Sequence, residues 1–246
     1  MWSVTHIPEL DEYGERIAAL EYEPLKVTVK TDSPVSCNDP ISLDGVLAYA
    51  MVTDALKGRP FPQGKGPYWQ PLPLHCAKLI EGLPLWSSTD FVPTNLHKRM
   101  THIHRRTADN PYAMIGLMRS AYDKRPRRFP SSAAGPYVDY RVPERRYFAE
   151  SWSALCLGNL EEVRRLLTLV ATFGKGGKRG SGYVRQWTVE PVADFSFYTH
   201  DGRALRPVPL GATETAWAGV RQGWTPPYWL KETWLLCQPS DVASIL

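Results

Sequence analysis

The chain has 246 residues, of which 43% are hydrophobic and 22% are charged, and its formal net charge is +4. These are ordinary values for a globular protein that is long enough to bury a core. No apolar run is long enough to span a membrane, and the first ten residues lack the basic-then-apolar order of a secretory signal, so we expect a cytoplasmic protein.

The cysteines exclude two common small-domain designs. All four lie tens of residues apart, and no C-x-x-C pair is present. Neither a zinc knuckle nor a disulfide framework is indicated by this spacing, so we expect a reduced protein. The four are Cys37, Cys76, Cys156 and Cys237.

Charge is distributed unevenly along the chain. Between Trp2 and Glu23 the chain has six acidic residues and one basic residue, Arg16. Between Lys98 and Arg128 it has nine Lys or Arg residues and two acidic residues. Because the net charge is mild, any case for a nucleic-acid partner depends on where the cations lie.

The pattern of apolar residues predicts strands and helices in alternation. The predicted elements are an acidic helix over Glu9–Leu20, a strand over Leu25–Thr31, a helix over Ser42–Leu56, one or two strands over Leu72–Leu85, a strand over Arg145–Leu157, a helix that Asn159 caps and Gly174 ends, a strand over Tyr183–Val189 and a hairpin over Asp194–Val208. Asp90–Tyr140 is basic and has little periodicity.

This order predicts an α+β fold, a ferredoxin-like (RRM-like) βαββαβ core. We divide the chain into an acidic N-terminal extension (1–23), the ferredoxin-like domain (24–210) with a basic insertion at about 90–140, and a Trp-rich C-terminal extension (211–246) packed on the core.

A glycine-rich basic segment lies between the second core helix and the last core strand. It reads Gly174-Lys175-Gly176-Gly177-Lys178-Arg179-Gly180-Ser181-Gly182, and Arg185 follows with no acid in between. Glycines leave backbone amides open to a close anion, so the segment suits phosphate contact. It matches neither the nucleotide-triphosphate loop nor the dinucleotide fingerprint, which opens a helix and not a strand. The alternative is a flexible, solvated surface turn.

The glycine-rich segment with the helix Glu161–Leu167 before it resembles the glycine-rich loop of the RAMP superfamily of CRISPR proteins. Ile41–Ala50, Leu96-His97-Lys98-Arg99 and Pro226-Pro227-Tyr228-Trp229 resemble the type IV member in the Cas-five role. The resemblance covers roughly Leu25–Cys237. The acidic lead-in has no place in the family pattern, and the basic insertion matches the family's "thumb" only by position.

The resemblance implies a non-catalytic RNA-binding subunit that caps the 5′ handle of the guide crRNA. It further implies that the protein sits at one end of a filament of backbone subunits, meets a large-subunit-like protein and lies near the flanking motif of the target DNA. No cofactor and no membrane contact are expected.

Together the residues and the resemblance give a set of candidate RNA-binding residues in the glycine loop and the basic insertion. Cations in these segments would neutralise phosphates and release counterions, and Tyr112, Tyr122 and Phe129 could stack on unpaired bases. The candidates are Gly174, Lys175, Gly176, Gly177, Lys178, Arg179, Arg185, His97, Lys98, Arg99, Arg105, Arg106, Lys124, Arg125, Arg127 and Arg128. The alternative for the insertion is a solvated loop.

Three histidines, His97, His102 and His104, raise two further hypotheses. Zinc would need a fourth ligand, and neither Cys76 nor a nearby acid stands at a recognisable spacing, so we expect no metal. Acid/base cleavage of RNA by one of these histidines would make the protein a guide-processing endoribonuclease. We keep this as the alternative function and expect no catalytic residue.

Overall fold

A computed structural model describes residues 8–59, 71–105, 140–175, 177–212, 219–228 and 230–246. The helices are α1 (Pro8–Ile17), α2 (Leu43–Leu56), α3 (Leu160–Leu167) and α4 (Val242–Ile245). The strands are β1 (Glu23–Thr31), β2 (Cys76–Ile80), β3 (Leu83–Trp86), β4 (Val92–Thr94), β5 (His97–Arg105), β6 (Tyr140–Phe148), β7 (Ser151–Gly158), β8 (Val184–Pro191), β9 (Val208–Pro209), β10 (Val220–Gln222) and β11 (Leu235–Gln238). The fold is mixed α/β with mostly antiparallel sheets.

The main sheet has four strands in the order β4-β7-β1-β8, and every neighbouring pair is antiparallel. Alternate residues of β1 point to opposite faces because the side-chain period of a strand is two. Leu25, Val27 and Val29 are buried, whereas Lys26 and Lys30, which alternate with them, are exposed. One face of the sheet is therefore the core and the other is polar.

Helices α2 and α3 pack against the core face, and α1 packs against α2. Helix α2 was predicted to be amphipathic, but Ala48 and Val52 outside the predicted stripe are buried as well. It is enclosed on more than one side, since α1 covers part of it. In α1, three residues join the core, namely Leu10, Tyr13 and Ile17.

Helix α3 confirms the predicted N-cap. The side chain of Asn159 accepts a hydrogen bond from the amide of Glu162 at 3.0 Å. The reciprocal bond of a capping box, from the Asn159 amide to the Glu162 carboxylate, does not form, because that carboxylate accepts from Arg165 and Arg16 instead. The predicted end at Gly174 is wrong: the helix stops at Leu167, and the chain reaches the glycine loop through a turn at Thr168–Leu169 and the Thr172–Tyr183 bridge.

Two predicted strands differ from the structure. The Leu72–Leu85 region forms the separate β2-β3 hairpin, and the strand that joins β7 in the main sheet is the three-residue β4. The predicted strand Arg145–Leu157 is two strands, β6 and β7. Sequence periodicity alone cannot detect a strand as short as β4, since three residues hold hardly one repeat.

The C-terminal region forms a second, smaller sheet in the order β10-β11-β9. Beneath it lies a small apolar cluster of Leu85, Trp224 and Cys237. The predicted hairpin near His200 is present as a turn closed by the Tyr198–Ala204 bridge. No described helix is both long and apolar enough to cross a membrane.

The chain divides into two compact units. The first comprises residues 1–97 and 147–246 and holds the main sheet, the helices and the glycine loop. The second comprises residues 98–146, and its described part is the pairing of β5 with β6.

Candidate nucleic-acid interface

The glycine loop is anchored in the core by Phe173, which is 1% exposed. The Phe173 ring packs against three other aromatic rings in edge-on or tilted geometry, with centroid distances of 4.9 Å to Phe91, 5.7 Å to Trp152 and 6.0 Å to Trp187. Such pairs stabilise a fold beyond the area they bury. The loop therefore starts from a fixed point next to the last strand of the sheet.

Backbone hydrogen bonds hold both ends of the loop. The amide of Phe173 donates to the carbonyl of Gly182 at 2.7 Å, and the amide of Gly182 donates to Pro34 at 2.9 Å. The amide of Lys175 donates to Ser36 at 2.6 Å. These amides support the loop itself, so a bound phosphate would have to use others.

Two glycines are required by the loop's own packing. Gly182 has a φ of +67°, and an added Cβ would overlap the carbonyl oxygen of Phe173. Gly174 has a φ of +87°, and an added Cβ would lie 2.8 Å from the carbonyl oxygen of Ser36. Only glycine adopts this region without strain while allowing such a close approach.

The cations of the loop face outward. Lys175 and Arg179 are exposed, and the Arg185 side chain retains 71% of its accessible surface. Arg185 has an acidic neighbour that the sequence did not reveal, since Asp32 lies 3.8 Å from its Nε. An exposed pair at that distance contributes little, so Arg185 remains accessible to an anion.

Other candidates are described only in part. Lys178 lies in the 3-10 turn Gly177–Arg179, and only the backbone of Lys178 is described. The candidates outside the described residues are Gly176, Arg106, Lys124, Arg125, Arg127 and Arg128. The aromatic residues Tyr112, Tyr122 and Phe129 also lie outside them.

The described part of the second unit presents cations on β5. Lys98 and Arg99 are exposed, as is Met100. The Thr101 hydroxyl donates to the carbonyl of Glu144 on β6 at 3.3 Å. The glycine loop and this ribbon belong to different units, so the candidates form two basic surfaces that are described separately.

Two of the three histidines, His97 and His102, have described side chains. His97 and His102 are exposed and five positions apart on β5, so they point to opposite faces of the strand. Among the described residues, no group of three or more His, Cys, Asp or Glu side chains could hold a metal ion.

A buried ionic network lies elsewhere in the first unit. Arg206 and Asp44 are both fully buried, and the guanidinium donates to the carboxylate at 3.1 Å. Arg206 also donates to the carbonyl oxygens of Trp86 at 2.7 Å and Ser88 at 3.1 Å. The hydroxyl of Tyr228 donates to Asp44 at 2.6 Å. The arrangement satisfies a buried charge with several partners, as a buried arginine requires.

Burial and charge set the protonation states in this network. Burial alone would lower the pKa of the Arg206 guanidinium, but Asp44 and its other neighbours hold that pKa above its usual value. Burial raises the pKa of Tyr228 well above its usual value, so the phenol stays protonated as a donor. Burial also raises the pKa of Asp90 to about 7.

Sequence reasoning missed this network, although one signal was present. Asp44 stands between apolar residues in the first turn of α2, and a carboxylate that is buried there requires a partner. The network joins two of the segments that carried the family resemblance, since Asp44 belongs to Ile41–Ala50 and Tyr228 to the Pro226–Trp229 segment. Their partner Arg206 lies in a part of the chain that no motif had singled out.

Fold and site thus define a mixed α/β protein in which an antiparallel sheet carries a basic glycine loop at one end. The sequence model of the family described as CRISPR type IV associated protein Csf3 matches residues 23–238. The chain therefore belongs to the Csf3 family, the Cas5-like subunit of type IV CRISPR systems. A search of curated proteins found no match.

Proposed function

We propose that this chain is the RNA-binding subunit of a type IV CRISPR ribonucleoprotein that caps the 5′ handle of the guide RNA and has no catalytic activity of its own. The observation that carries the proposal is the rigidly anchored glycine loop, with Lys175, Arg179 and Arg185 facing outward, in a chain of the Csf3 family.

The topology of the main sheet supports a ferredoxin-like core. In chain order, the elements that build the sheet and cover it are β1, α2, β4, β7, α3 and β8, which is a βαββαβ succession. The two strands that follow helices, β4 and β8, lie at opposite edges, and the central pair is β7-β1. This is the arrangement expected of a split βαβ unit.

The exposed cations support a phosphate-bearing partner. Neutralising phosphates releases condensed counterions, which gives affinity without sequence specificity. The basic ribbon at Lys98 and Arg99 is a second surface of the same kind, and it is the part of the chain that we assign to the target DNA or to the guide. Backbone filament subunits and a large-subunit-like protein are the proposed protein partners, in the cytoplasm.

The proposal is tested by removing the loop cations. Changing Lys175, Lys178 and Arg179 together to Ala should weaken binding to single-stranded RNA. The slope of log affinity against log salt should flatten by about 0.7 for each phosphate that the variant no longer neutralises. Fluorescence anisotropy titrations at several salt concentrations measure both quantities.

The matched control removes three exposed cations elsewhere, Arg16, Arg203 and Lys231, and should leave the salt slope unchanged. An equal change of slope in both variants would mean that RNA responds only to net charge, and the loop would not be the site.

The absence of catalysis is tested separately. We expect purified protein to leave a repeat-containing RNA uncut, and the test asks whether any single histidine among His97, His102 and His104 acts as a general acid or base. Specific cleavage that is abolished by changing His97, His102 or His104 to Ala would establish the endoribonuclease alternative.

A further inference from the structure

One exposed aromatic residue stands among the loop cations. Tyr183 is 50% exposed, although it directly follows Gly182 and precedes β8. A half-exposed tyrosine is not unusual by itself, but the backbone of this one is held in place, and exposed Lys175 and Arg185 belong to the same loop and the strand that follows it.

Backbone contacts fix the position of Tyr183 from both sides. Its amide donates to the hydroxyl of Ser33 at 2.9 Å, and its carbonyl accepts from the amide of Asp32 at 2.9 Å. A bridge also pairs it with Thr172 across the base of the loop. The ring therefore projects from a braced backbone and not from a mobile tip.

Two exposed cations, Lys175 and Arg185, lie near Tyr183 in the loop and in the strand that follows it. Arg185 follows Tyr183 by two residues, at the point where the pairing of β8 with β1 shifts register, and its side chain is exposed. Lys175 follows the Thr172 bridge on the opposing segment, where its amide bonds to Ser36. One acid, Asp32, lies 3.8 Å from the Nε of Arg185.

We propose that Tyr183 is a stacking platform for one unpaired base of the bound RNA, with Lys175 and Arg185 holding the phosphates beside that base. This inference rests on the proposed function and adds to it that the loop binds a nucleobase as well as a phosphate. An aromatic ring accepts any base, because every base has a flat π face, and cations beside it hold the strand in position.

The test separates base contact from phosphate contact. The probes are a labelled 12-nucleotide oligouridylate and an abasic oligomer of the same length and charge. Tyr183→Leu should reduce affinity for oligouridylate by about 5-fold to 150-fold, the range that corresponds to ~1–3 kcal/mol per stacked base. The same variant should bind the abasic oligomer as wild type does and keep the salt slope.

Three variants make the result specific. Tyr183→Phe should retain most of the affinity, since it keeps the ring. Tyr49→Leu, which changes a tyrosine that is 55% exposed on α2, should have no effect. Lys175→Ala should weaken binding to both oligomers and flatten the salt slope.

The outcomes distinguish the two proposals. Suppose that Lys175→Ala lowers the affinity for both probes while Tyr183→Leu binds oligouridylate as wild type does. The stacking platform is then overturned and the RNA-binding function stands. If wild type binds neither probe, both fail. If Tyr183→Leu affects only the recovery of partner subunits, Tyr183 contacts protein and the platform is again overturned.

Discussion

The basic residues of this protein lie in two opposite environments, one buried and paired and the other exposed. Arg206 is buried and has its hydrogen bonds met by Asp44 and by backbone carbonyls within the chain. Lys175 and Arg185 in contrast lie at the surface, where Asp32 is 3.8 Å from the Nε of Arg185. Internal pairing stabilises the fold, whereas exposed cations remain available to an external anion. The comparison therefore separates residues that act on folding from those that act on binding.

The largest expected effect is on stability at Arg206. Arg206→Met should lower the free energy of unfolding by about 3–5 kcal/mol, because Asp44 would remain buried without its counter-charge. Urea denaturation measures the change. Arg203→Met, three residues earlier and 68% exposed, is the control and should cost under about 0.5 kcal/mol. A similar small cost at Arg206 would contradict the structural role of the network.

The next effect tests the glycines that shape the binding loop. Gly182→Ala should destabilise the protein by at least about 2 kcal/mol, since its positive φ and the contact with Phe173 both exclude a Cβ. Gly180→Ala should cost about 1 kcal/mol, because Gly180 also has a positive φ but open space around it. Thermal and urea unfolding of the two variants give the comparison, and equal costs would show that the close approach is unimportant.

A third prediction concerns pH and Asp90 at the edge of the buried network. Burial raises the pKa of Asp90 to about 7, while Ser240 and Arg206 favour the charged form less strongly. The folded state therefore holds a proton that the unfolded chain has released above about pH 4. The stability that this proton contributes is present at low pH and is lost as the pH rises through about 7, by up to ~1.4 kcal/mol per pH unit.

Asp90→Asn isolates that contribution. We expect the difference in unfolding free energy between wild type and variant to change between pH 5 and pH 7 and to be flat above pH 8. Urea titrations across this range measure it. A difference that is independent of pH would mean that Asp90 does not bind a proton on folding.

The smallest effect on stability is expected at Arg185. Arg185→Ala removes an exposed pair at 3.8 Å and should change the free energy of unfolding by less than about 0.5 kcal/mol. It should nevertheless weaken RNA binding and reduce the salt slope by about 0.7. Unfolding and anisotropy measurements on the same preparation test both statements. A marked loss of stability would place Arg185 with Arg206 among the structural cations.

Local sequence signals predicted the elements that carry their own patterns. Asn159 and the apolar residues after it predicted the start of α3, and the alternation from Leu25 predicted β1. The end of α3 was misplaced because Gly174 looked like a helix stop, whereas it serves the loop. Gly174 does have a positive φ, but in the loop and not at the end of a helix.

Long-range contacts were beyond the reach of local patterns. The Arg206–Asp44 pair spans 162 residues, and nothing around Arg206 indicates that it is buried. The basic glycine loop was visible in the sequence from its glycine and lysine spacing, and its phosphate contact stays a prediction. The acid beside Arg185 could not, since Asp32 approaches only when β1 and β8 pair.

The short strand β4 has a consequence for self-association. A sheet edge with free amides and carbonyls can template another strand and so begin an aggregate. At one edge of the main sheet, β4 offers only three residues, and Pro93 among them has no amide hydrogen to donate. At the other edge, β8 carries Arg185 and Glu190 and ends at Pro191. Both edges thus disfavour the strand-by-strand addition of further copies, even at the high local concentration of a multi-subunit particle.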